Sequence, residues 1–270
     1  MLHGVIEASR YDLGDSQLVA RANRQMRDEG VCVFPGFVSA RAVHSLVREC
    51  DELAPLAHRS APRRNPYLTT GSGGASSEAT VLYDSLEVLA YDQFPAASLL
   101  RGLYESDVLL DFVRRCLGLE NLFRYADPFG ALNVSIMRDG DVLDWHFDMT
   151  DFVVSLALQS SASGGDFENS PGIRDAGESA IASLLSGDRS SVRIEPMTAG
   201  TLMLFNGRRS MHRVSPIRGQ IPRYVALLAY DTKPGTDSTD ELKLSRYGRL
   251  PGERTLRRSY DHPTTNSAPS

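Results

Sequence analysis

With 270 residues, 41% hydrophobic and 23% charged, the chain can bury one large core and has the texture of an ordinary globular protein. A net charge of −5 argues against a nucleic-acid or anionic-membrane surface, and the arginine pairs at 63–64, 208–209 and 257–258 are too short and scattered to form a basic patch. Three cysteines far apart in apolar patterns, no stretch of transmembrane length, and a polar, acidic N-terminus together lead us to expect core thiols in a cytoplasmic protein, without disulfides or a signal peptide.

Asp15 and Ser16 can cap a helix that carries Leu18, Val19, Ala22 and Met26 on one face and stops at Gly30. Residues 31–37 read as a short strand, and Ser39 opens a second helix with Val43, Leu46, Val47, Cys50 and Leu53 at helical spacing. From 58 to 79 periodicity disappears into Arg, Pro, Asn, Ser, Thr and Gly. A structureless stretch of this length inside a domain is usually a functional loop or a disordered one, and it reads as a lid. Arg64, Asn65 and Tyr67 in it have the donors and the ring to grip a small polar substrate, and residues 71–74 can hinge it. A solvated loop is the competing reading. Two further helices are expected over 95–105 and 106–117, the second ended by Gly118.

From Ala131 onward the pattern is β. Residues 131–137 alternate, Arg138-Asp139-Gly140-Asp141 has hairpin chemistry, and strands follow at 151–159, 191–197, 201–205, 211–217 and 223–231. Short antiparallel strands with glycine-bearing turns suggest a jelly-roll, or double-stranded β-helix, with helical support. Residues 170–189 interrupt it with an insertion, expected at the barrel mouth, that holds a helix around 178–185, and a docked helix is expected over 240–249. The expected layout is one catalytic domain over 1–250, with helical support and lid in 1–130, the β core in 131–232, and a flexible tail over 251–270.

The chemistry centres on Trp145-His146-Phe147-Asp148. Residues two apart on a strand share a face, so His146 and Asp148 can offer an imidazole and a carboxylate to one metal ion. His212 is the proposed third ligand, completing the facial triad of two histidines and one carboxylate that suits non-haem Fe(II). Arg223 then opens the apolar run Arg-Tyr-Val-Ala-Leu-Leu-Ala-Tyr. A buried guanidinium needs an anionic partner, which a dicarboxylate co-substrate would supply.

The order His146, Asp148, His212, Arg223, with Gly164-Gly165-Asp166-Phe167-Glu168 and Ala199-Gly200-Thr201-Leu202-Met203-Leu204-Phe205 between them, resembles the Fe(II)/2-oxoglutarate-dependent dioxygenases across roughly 133–230. Tyr91-Asp92-Gln93-Phe94-Pro95 and Ala126-Asp127-Pro128 resemble the branch of free amino-acid hydroxylases and related amino-acid halogenases. The resemblance implies Fe(II) on the triad, 2-oxoglutarate anchored by Arg223 with Asn133 nearby, O₂ as oxidant, and release of succinate and CO₂. In the halogenase relatives it implies a small residue at the position of Asp148, so the carboxylate here favours hydroxylation, with desaturation or ring closure as alternatives. Trp145 and Asp151 join Arg64, Asn65 and Tyr67 as candidate substrate contacts, although Trp145 also reads as core and Asp151 as a turn residue. The partners expected are a small-molecule substrate, without nucleic acid or membrane, and a homodimer is left open. A non-catalytic cupin-type barrel holding zinc at the same residues is the competing class. A protein or carrier-bound substrate is a third reading. Arg223 argues against a purely structural barrel.

Overall fold

The computed structural model describes residues 4–60, 63–64, 66 and 82–252. Two antiparallel sheets form its centre. The larger runs in the order Val31–Phe34, Leu202–Phe205, Val153–Gln159, Arg223–Leu228, Leu132–Met137, Leu86–Leu89, His58–Ser60. The smaller runs Arg193–Glu195, Phe167–Ser170, Met211–Val214, Leu143–His146. Strand alternation sorts the large sheet's side chains into two cores. Leu202, Leu204, Val154, Leu156, Val134 and Ile136 point to the helices, whereas Met203, Phe205 and Met137 point inward toward Phe167 and Val214 of the small sheet. This is the jelly-roll arrangement expected of the sequence, closed by non-local pairing.

Helices Ser16–Glu29, Ala40–Leu53, Leu99–Tyr104 and Asp107–Cys116 support the large sheet's outer face. The first two start as the cap chemistry requires. Asp15 accepts from the Gln17 N–H and Ser39 from the Ala42 N–H, and the first helix stops at Gly30 with φ of 72°. Cys32, Cys50 and Cys116 are buried free thiols within this layer. Among the described residues, no helix is long and apolar enough to cross a membrane.

Three sequence expectations change. The stretch from 58 is not wholly aperiodic, because His58–Ser60 forms the sheet's edge strand against Leu86–Leu89 and Arg63–Arg64 pairs with Leu82–Tyr83. The polar composition hid the strand: Arg59 is neutralised by Asp141, with Nη1 to Oδ2 at 2.8 Å, rather than by water. The turn at 138–141 does not make a hairpin. Leu132–Met137 stays in the large sheet and Leu143–His146 crosses to the small one, and Asp141 holds the corner by accepting from the Arg138 N–H at 2.8 Å and the Ser85 hydroxyl at 2.9 Å. The insertion does not sit at the barrel mouth. Its Ile173, Ile181 and Leu184 pack with Trp145, Phe147 and Met211 on the small sheet's outer face.

Candidate metal centre

Cross-strand pairing brings the two histidines together, since His212 on Met211–Val214 lies directly opposite His146 on Leu143–His146. Their ring centroids are 4.3 Å apart. Asp148 follows just beyond the strand end and turns back between them, its Oδ2 3.2 Å from His212 Nε2 and its Oδ1 3.8 Å from His146 Nε2. One ligand atom from each residue lies within 4.8 Å of the other two, the disposition a single small cation requires.

The imidazoles are oriented by their own backbone. His146 Nδ1 is 2.7 Å from the Asp144 carbonyl and His212 Nδ1 is 3.0 Å from the Ser210 carbonyl, both two residues upstream. A carbonyl only accepts, so each Nδ1 carries a proton and each Nε2 faces the centre; on His212 that nitrogen donates to Asp148 when protonated and would ligate a metal once the proton is lost. Phe205 and Phe167 wall His212, at ring separations of 4.9 and 5.5 Å. Burial alone would raise the Asp148 carboxyl, but the charge of and hydrogen bond to His212, then His146 and Arg246, outweigh it and bring it down to about 2. Burial opposes charge on His212 as well, and Asp148 with the Ser210 carbonyl raises it above the ordinary imidazole value.

A cavity joins these ligands to Arg223. That guanidinium is 6% exposed and makes no hydrogen bond among the described residues. Desolvation depresses it to about 10, only partly offset by the charge of Asp166. A buried cation of this kind calls for an anionic ligand. Gly165 makes room for it: at φ of 74°, a Cβ there would lie 3.0 Å from Arg223 Cδ.

Other expected contacts fare differently. Asn133 lies on the same strand face as Ser135 and Met137, which line the cavity, while Asn133 does not. Its Oδ1 is buried without a hydrogen-bond partner among the described residues. Trp145 points away from the cavity, into the cluster under the insertion, because it alternates with His146 along the strand. Arg213 and Arg189 cover its ring at 5.0 and 5.2 Å. Asp151 is an exposed residue paired with Arg208, outside the cavity lining. Arg64 is placed by its pairing with Leu82, and Asn65 and Tyr67 lie outside the described residues. The next described position, Pro66, docks on the metal strand, its carbonyl accepting from the Phe147 N–H at 2.9 Å.

The cavity also contains groups the sequence did not single out. Ser155 has a buried hydroxyl without a partner among the described residues, and its signal was a lone polar residue in the apolar run Val-Val-Ser-Leu-Ala-Leu. Asp84 and Arg246 carried no local signal. Gly207 abuts the metal carboxylate: a Cβ there would lie 2.9 Å from Asp148 Cβ and 2.9 Å from Val153 Cγ2, and closer still to Asp148 Oδ2.

Comparison with known proteins agrees with this geometry. Residues 14–244 match the profile of a family described as Halogenase D. No curated protein matches the sequence. Among solved structures, a prolyl hydroxylase from Trichoplax adhaerens, in complex with a hypoxia-inducible-factor peptide fragment, has 16% identity and a TM-score of 0.56 over 80% of this chain and 90% of that one. The epimerase SnoN from nogalamycin biosynthesis has 17% identity and a TM-score of 0.56 over 90% and 94%. HygX from Streptomyces hygroscopicus, solved with nickel and 2-oxoglutarate bound, has 17% identity and a TM-score of 0.53 over 83% and 93%. At such identities the likeness is one of fold.

Proposed function

The chain belongs to the Halogenase D family, and from that premise we propose that it is an Fe(II)- and 2-oxoglutarate-dependent oxygenase that hydroxylates an unactivated C–H bond of a small polar substrate, a free amino acid or close derivative, with release of succinate and CO₂. The observation that carries this reading is the meeting of two imidazole Nε2 atoms, one carboxylate and a buried guanidinium without a hydrogen-bond partner among the described residues in a single cavity.

His146, Asp148 and His212 would hold the metal. The metal with 2-oxoglutarate and O₂ supplies the oxidant for the C–H bond. The protein's own contribution is placement. The Asp144 and Ser210 carbonyls fix the imidazoles, and Arg223 takes the distal carboxylate of 2-oxoglutarate, an anion that relieves its desolvation. The Ser155 hydroxyl stands in the same cavity to receive a further polar contact. Pro66, whose carbonyl accepts from the Phe147 N–H, stands beside the metal strand and helps to exclude water from it.

Asp148 decides between hydroxylation and the halogenation in the family's name. If Asp148 ligates the metal, its carboxylate would take the place a halide would need, so hydroxylation is the outcome we assign to this chain. Desaturation or ring closure from the same C–H activation differs only in how the substrate is placed. The test is metal-dependent succinate release from 2-oxoglutarate, which His146→Ala and His212→Ala should abolish while melting like the parent protein. Normal turnover and tight metal binding in either variant would end the argument.

A further inference from the structure

The cavity holds a second guanidinium, Arg246. It comes from the helix Asp240–Tyr247, far from the barrel strands in sequence. That helix is pinned on several sides. Thr239 caps it through the Leu242 N–H, Lys243 Nζ lies 2.8 Å from Asp237 Oδ1, the Ser245 carbonyl accepts from the Ser60 hydroxyl at 2.9 Å, and Tyr247 meets Phe129 edge-on at 5.5 Å. Neighbouring Arg249 is fully engaged, 2.7 Å from Asp92 and 4.0 Å over the Phe129 ring. Arg246 alone among these cations has no hydrogen bond or ion pair among the described residues, although it is half-buried.

A half-buried guanidinium held on a docked helix beside a cavity is placed to meet an anion there. On the reading above, the distal carboxylate of 2-oxoglutarate belongs to Arg223, which lies deeper; Arg246 is near enough for its charge to lower the Asp148 carboxyl but makes no hydrogen bond to it among the described residues, so its N–H donors are open to a second anionic group. The cavity also contains the buried carboxylate of Asp84, whose Oδ1 accepts from the Asp144 N–H at 3.1 Å. The remaining lining includes Leu86, Val88, Met137 and Val153. A ligand with an anionic end, a cationic end and an apolar stem would find a complement for each part.

We propose that Arg246 is the substrate's carboxylate anchor, so that the C-terminal helix, and not the loop following Arg64, reads the acidic end of the substrate. The inference rests on the oxygenase reading. A guanidinium rather than an ammonium suits the role, because its fork can meet both oxygens of a carboxylate at once.

The experiment is a calorimetric titration of the Mn(II)-loaded, 2-oxoglutarate-saturated protein with the free amino acids and with their carboxamides. At least one free acid should bind, its carboxamide should bind at least about tenfold more weakly, and Arg246→Met should remove that difference. Arg246→Lys should restore part of it, and Arg64→Met should leave the difference in place. The binding of 2-oxoglutarate itself, titrated first, should be unchanged by Arg246→Met. Failure of the parent protein to bind 2-oxoglutarate would sink the oxygenase reading. With that binding intact, the anchor is overturned if no free acid binds, if acid and amide bind alike, if a folded Arg246→Met variant keeps the discrimination, or if that variant weakens 2-oxoglutarate instead.

Discussion

Gly207→Ala tests how closely the metal carboxylate is held. The backbone there is open to alanine, since Gly207 is not at positive φ, so the effect is steric. The new Cβ would stand 2.9 Å from both Asp148 Cβ and Val153 Cγ2. Ordinary contact begins at 3.4 Å, so the neighbours must yield by about half an ångström, and the carboxylate oxygen by more. Val153 is β-branched and sits on a central strand paired with Phe205, which leaves Asp148 as the group that moves. Metal–ligand distances tolerate only about 0.2 Å. Displacing the carboxylate beyond that should weaken metal binding by roughly 10- to 100-fold, a loss of the size seen when groups supporting a ligand are disturbed. Overpacking should also lower stability by about 1–3 kcal/mol. Anaerobic Fe(II) or Mn(II) titration gives the first quantity and urea unfolding of the metal-free protein the second. A variant that loses stability but binds metal within twofold of the parent would show that the strain is relieved away from Asp148, and the reasoning would fail.

Replacing Arg223 with leucine should raise the apparent KM for 2-oxoglutarate by about 2–5 kcal/mol in binding terms, roughly thirtyfold to several-thousandfold. An unchanged KM would mean that another group anchors the distal carboxylate. Asp148→Gly should abolish hydroxylation and free a coordination position, read out as chloride-dependent changes in the visible spectrum of the Co(II) protein; full hydroxylation would remove Asp148 from the ligand set. Burial pushes the Cys32 and Cys116 thiols from 9.0 up to about 12, and Cys50 further still. The folded state therefore keeps protons that the unfolded chain releases above pH 9, and stability should fall between pH 9 and 12 by up to about 1.4 kcal/mol per pH unit per thiol. Cys116→Ala should flatten that slope in urea melts, and a slope identical to the parent's would show that its thiol is not shielded.

The sequence determined the elements whose signals are local. Asp15, Ser39 and Gly30 supply or accept cap interactions within a turn of their own helices, so the helix boundaries were legible. The candidate metal ligands were legible from their residue types and order, although Asp148 lies beyond the strand end and reaches the site by turning back rather than by strand alternation, and a lone arginine at the head of an apolar strand needs explanation wherever it sits. Tertiary structure decided what depends on contacts across the chain. The strand His58–Ser60 is polar and was recognisable only through its pairing with Leu86–Leu89 and the neutralisation of Arg59 by Asp141. Trp145 alternates with His146, but whether its side of the strand met solvent, substrate or the 173–185 helices turned on where the insertion packs. Arg246 sits on a helix of ordinary amphipathic composition, and only docking of that helix against Ser60 and Phe129 brings it to the cavity. Sequence periodicity reports which face of an element is buried, whereas what lies opposite that face is settled by the non-local packing of the whole chain.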